Sequence, residues 1–87
     1  MARAAHLERL RDMARAAEAA GLRRVTRTAR NYSHLGNGEE WWDVVVTRKD
    51  GLAQWGKECR FEGIVFLCAD LDGDWRPLSD FDENDLD

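Results

Sequence analysis

Residues 41–47, Trp41-Trp42-Asp43-Val44-Val45-Val46-Thr47, decide the fold. Branched and aromatic side chains suit a pleated surface and lose rotamer freedom in a helix, so the stretch reads as a strand. Alternation places Trp42, Val44 and Val46 on one face and Trp41, Val45 and Thr47 on the other. Both faces carry apolar groups, which puts the strand in the middle of a sheet. Just before it, Gly36-Asn37-Gly38 supplies the left-handed backbone of a tight hairpin. Residues 23–30 (Arg-Arg-Val-Thr-Arg-Thr-Ala-Arg) then read as a weak polar strand, with Val25 and Ala29 on one face around Arg27 and with the charges that protect an edge.

Downstream, Asp50-Gly51 marks a turn. Gly56, Lys57 and Glu58 interrupt the apolar run after it, so residues 52–60 are expected to form an irregular connection or a short strand at 53–55. The continuous apolar stretch 64–69 predicts a buried strand. Asp72-Gly73 is expected to close a second hairpin onto a short strand at 74–78, held to an edge by Pro77.

Upstream, residues 2–20 are rich in Ala, Arg, Glu and Leu, with no Gly, Pro or β-branched residue, and predict a helix. Leu7, Leu10, Ala14 and Ala17, with Met13 beside them, form one narrow apolar stripe. Gly21 followed by Leu22 has the pattern of a left-handed C-terminal cap with its packing apolar residue. The expected architecture is α+β: an N-terminal helix across an antiparallel meander of three or four strands. Residues 1–79 form one domain, and 80–87 a tail too charged to fold alone. At 87 residues the core is modest. At least two of the four tryptophans, Trp41, Trp42, Trp55 and Trp75, are expected in it and one outside.

Charge is distributed unevenly. Residues 1–30 hold eight arginines against three acids, +5, whereas residues 31–87 hold five bases against fourteen acids, −9. The last eighteen residues alone carry eight acidic side chains against Arg76. Such a surface repels phosphates and attracts basic proteins. The polar start lacks a signal-peptide run and nothing approaches a membrane span, which points to a cytoplasmic protein; two cysteines, Cys59 and Cys68, point to reduced thiols.

The sequence offers little chemistry. Asp70, Asp72 and Asp74 alternate like the start of a calcium loop, but Trp75 stands where its glycine belongs and Phe81 where its bidentate glutamate belongs. His6, His34, Cys59 and Cys68 have no short ligand spacing for zinc, and Cys68 lies in the most apolar strand, where a thiol is inert. The expectation is therefore no cofactor, no metal and no catalysis.

Partner binding is instead assigned to Asp70, Asp72, Asp74, Trp75, Asp80, Asp82 and Glu83: carboxylates for a basic protein or nucleoprotein complex, and an aromatic anchor. The compact length, the turn Asp70-Leu71-Asp72-Gly73-Asp74-Trp75 and the run Asp80-Phe81-Asp82-Glu83 resemble, in kind and without a shared motif, small acidic inhibitors encoded by phages and mobile elements, anti-CRISPR proteins among them. The resemblance implies a steric and electrostatic block of a basic nucleic-acid-binding surface in a host defence complex, and it assigns no residue a role. Two alternatives remain: an immunity or antitoxin-like protein masking a basic nuclease, and a small nucleic-acid-binding regulator using Arg23, Arg24, Arg27 and Arg30 with Tyr32.

Overall fold

A computed structural model describes residues 2–26, 30–36 and 38–82, with side chains from Leu7 onward. The fold is α+β. Helix α1 (Ala2–Ala19) precedes five strands: β1 (Arg23–Arg24), β2 (Arg30–His34), β3 (Glu40–Thr47), β4 (Ala53–Phe61) and β5 (Ile64–Cys68). They make one antiparallel sheet in the order β1-β3-β4-β5, with β2 beside β1 on the same edge of β3.

The helix ends as its sequence specifies. Gly21 takes φ 68°, its N–H bonds to Glu18 O, and the Leu22 N–H reaches back to Ala17 O at 2.9 Å, a Schellman cap. The apolar stripe of α1 packs on one face of the sheet. Leu10 joins Cys59, Phe61, Phe66 and Cys68 in a buried cluster, with Leu7, Met13, Ala14 and Trp41 packed around it. Val44, Val45 and Val46 are all fully buried, so both faces of β3 are covered, as a central strand requires.

The edge segment 23–30 is not one strand. Arg24 pairs with Val46 and Arg30 with Asp43, so β1 and β2 do not pair with β3 in one continuous register. A second register shift follows between Arg30 and Ser33, where Asn31 has φ 54°. Charges alone do not protect this edge; the irregularity breaks its ladder as well. Residues 27–29, and with them the expected positions of Arg27 and Ala29, lie outside the described residues. The hairpin after β2 is present, with Leu35 N–H bonded to Glu39 O and Gly38 at φ 88°; Asn37 also lies outside the described residues.

Three further expectations are corrected. Residues 52–60 form most of β4, a full central strand, because the side chains that break the apolar pattern are paired across it: Lys57 with Asp43, and Glu58 with Arg24 and Arg60. The apolar run 64–69 is the opposite edge, β5, entered by a two-residue turn at Glu62-Gly63 with φ of 51° and 78°; Ile64 and Val65 are 50% and 56% exposed. Asp72-Gly73 closes no hairpin. The chain leaves the sheet after Cys68 and returns for a single bridge, Arg76 with Ala53, before Pro77 ends pairing and Leu78–Asp80 turn as a 3-10 helix.

The tryptophans are also placed differently. None is fully buried, and only Trp41 packs against the central cluster; its indole N–H is buried without a hydrogen-bond partner. The core is instead small side chains plus Leu10, Phe61 and Phe66.

Candidate protein-docking surface

The loop 69–75 is built to hold its shape. Asp70 organises it: its carboxylate accepts the Asp72 N–H at 3.1 Å, its carbonyl accepts the Gly73 N–H at 2.9 Å, and the same carbonyl accepts the Gln54 side-chain amide at 2.9 Å. Trp75 donates its indole N–H to Leu71 O at 3.2 Å, and the Arg48 guanidinium lies 5.0 Å from its ring centroid. Arg48 is itself held by Asp50, whose carboxyl falls below its ordinary value because the guanidinium hydrogen-bonds the charged form. The returning chain is pinned by two backbone bonds between Ala53 and Arg76. A loop tied at its start, middle and end presents its carboxylates in fixed positions.

Of the residues singled out from the sequence, Asp70, Asp72, Asp74, Asp80 and Asp82 are exposed, and Trp75 is half-buried as a strut of the loop. Glu83 lies outside the described residues. Among the described residues, the side chains of Asp72, Asp74 and Asp80 carry no hydrogen bond or ion pair. Asp70, Asp74 and Phe81 converge with Trp55 around a groove of about 390 Å³, while Asp72 and Asp80 stand outside its lining. Sequence reasoning missed Trp55 as the exposed aromatic of this surface. Its signal was the alternation of Ala53, Trp55 and Lys57, hidden by Gly56.

Several basic residues are engaged within the fold, whereas Arg11, Arg23, Lys49 and Arg76 are exposed and make no ion pair among the described residues. On the sheet face away from α1, Glu58 is buried between Arg24 at 2.8 Å and Arg60 at 3.2 Å. Arg60 also lies over Trp42, whose ring is 5.1 Å from that of Tyr32. Asp43 is engaged by Lys57 and by the Asn31 side chain, which together hold its carboxyl below the ordinary value. Truncating Glu58 would remove the ion pairs that it makes with Arg24 and Arg60.

Neither thiol is prepared for chemistry. Burial pushes Cys59 up to about 12, with the neighbouring Glu39 carboxylate adding to the shift, and pushes Cys68 up to about 11. At pH 8 both are neutral thiols in the folded protein, and iodoacetamide should label them only on unfolding. Because the folded values lie above the ordinary 9.0, this contribution to stability is fully present below pH 9.0 and is lost as pH rises from 9.0 through the folded values. Native-state labelling at the rate of a free thiol would contradict the assignment. His34 is exposed on β2, with β3 between it and the strand that carries Cys59, and His6 lies outside the described side chains.

No helix among the described residues is long and apolar enough to cross a membrane. In comparisons with protein-family models, curated proteins and solved structures, nothing matches this chain.

Proposed function

We propose that this is a non-enzymatic binding protein whose acidic C-terminal half docks on a basic protein or nucleoprotein complex and, like a small inhibitor, occupies a surface that would otherwise hold nucleic-acid phosphates. The observation that carries this reading is a set of exposed carboxylates left unpaired around a pinned loop. They are Asp72, Asp74 and Asp80, whereas Arg24, Arg48 and Arg60 are tied to carboxylates of the same chain. Charges already neutralised add little to the attraction of phosphates, and rigid unpaired ones steer a cationic partner from a distance. Such pairing also weighs against the nucleic-acid-binding alternative on residues 23–30 at Arg24, which gives its guanidinium to the buried Glu58.

A host defence complex remains the partner class suggested by resemblance in kind, and a basic nuclease is served by the same physics. A pull-down with the tagged protein, with and without nuclease, separates protein from nucleic-acid targets. The expected result is a captured protein that survives nuclease treatment and elutes as salt is raised. Capture that disappears with the nucleic acid would replace this reading with the regulator.

A further inference from the structure

The outer edge of β4 is paired at Lys57, by Cys68 of β5, and at Ala53, by Arg76. Between these points the chain takes eight steps, Cys68 to Arg76, where β4 takes four, and no described residue pairs with Trp55 on that edge. Hydrogen bonding alternates along an antiparallel strand. Ala53 exchanges two bonds with Arg76, so the N–H and C=O of Trp55, two residues on, point into the same gap. The opposite edge agrees: Val45, across from Trp55, spends its carbonyl on the Val25 N–H and not on β4.

The gap opens on two grooves that share Trp55 and Asp70, one of about 390 Å³ toward Asp74 and Phe81, the other of about 470 Å³ toward Met13 and Asp43. The Trp55 side chain is exposed at 39%, and Asp74 has no partner among the described residues. Lys57 and Arg76 also line the space; Lys57 is bound to Asp43, and Arg76 pairs with Ala53 through its backbone while its side chain is exposed.

We propose that this gap is a receptor for one arginine side chain of the basic partner, stacked on Trp55 and donating to the Trp55 carbonyl and to the Asp74 carboxylate. The inference rests on the reading of the acidic half as a docking surface. Only a planar, many-donor cation meets an aromatic face, a carbonyl and a carboxylate at once; an ammonium offers the charge without the fork. The chain itself shows the preference. Three of its four tryptophans carry a guanidinium, Arg30 lying 5.9 Å from the Trp55 centroid.

The test is an amide and indole NMR titration of the full chain with acetyl-Gly-Arg-Gly-amide, against the same peptide carrying neutral citrulline. Saturable shifts of the Trp55 indole and backbone N–H are expected, with the citrulline peptide at least about fivefold weaker. Asp74→Asn should weaken the arginine peptide about threefold, Trp55→Leu should abolish its effect, and Trp42→Leu should leave it unchanged. Equal binding of the two peptides, or shifts centred on Trp42 or Trp75, would overturn the assignment. Should Trp55→Leu not fold, Asp74→Asn and the citrulline comparison decide. If Trp55→Leu and Asp74→Asn keep native affinity for the captured partner while reversal of Asp72 and Asp80 abolishes it, the receptor falls and the docking surface stands. If the peptide binds as described but partner capture ignores those reversals, the docking surface falls and the receptor stands.

Discussion

Leu10→Asp is expected to unfold the protein. Leu10 is completely buried and is the point at which α1 meets the cluster of Cys59, Phe61, Phe66 and Cys68. The described neighbours of Leu10 in the cluster are apolar, so the variant loses the apolar contact and must also bury a charge or keep its proton; together these cost on the order of 4–5 kcal/mol or more. A domain of this length has only about 5–10 kcal/mol of net stability, and a single helix covers this face. Leu10→Ala, which loses contacts and leaves a cavity without burying charge, should cost about 2–4 kcal/mol and remain folded in the cold. Far-UV circular dichroism and thermal melts check both. A native spectrum and melting temperature for Leu10→Asp would mean that the helix does not pack through Leu10.

Gly56→Val is the second large effect, for reasons of space and not of backbone freedom. A Cβ at Gly56 would stand 2.5 Å from the Cys68 carbonyl oxygen, 3.2 Å from a Val46 methyl and 3.3 Å from the Ala69 Cβ. The nearest contact is backbone, so relief requires moving the chain just where it leaves the sheet. Overpacking of this kind costs about 2–4 kcal/mol. Gly36→Ala, with nothing within 4 Å of its Cβ, is the control and should change stability by less than about 0.5 kcal/mol. Denaturant melts of the two variants read the difference directly. Equal stabilities would show that the chain does not cross Gly56 as described.

These two sites mark what could and could not be read from the residues. The helix, its Gly21 cap and β3 were legible because each is specified locally: a 3.6-residue stripe, a glycine at C′, and branched residues on both faces. β4 was not, because its interruptions at Gly56, Lys57 and Glu58 make sense only against partners distant in sequence. Gly56 yields to the Cys68 carbonyl, Lys57 meets Asp43, and Glu58 meets Arg24 and Arg60. β5 was misjudged for the same reason in reverse. An apolar run suits an edge strand lying under a helix as well as a buried one, and only the pairing partner distinguishes them. The acidic loop was found by composition, but not its closure: nothing local in Asp72-Gly73 announces that the chain returns to Ala53 and leaves a gap beside Trp55.

Recognition is assigned to the unpaired carboxylates of the C-terminal half. The most direct test is the association rate of the nuclease-resistant partner with the native protein and with the triple reversal Asp72→Lys, Asp74→Lys, Asp80→Lys, measured across ionic strength. These side chains are exposed and bond to nothing among the described residues, so the fold should survive reversal. The native rate should fall steeply as salt shortens the screening length to about 8 Å and below, and the reversed variant should be slower by about tenfold or more at low salt, the two converging at high salt. Equal rates for the two proteins at low and physiological salt would contradict the assignment.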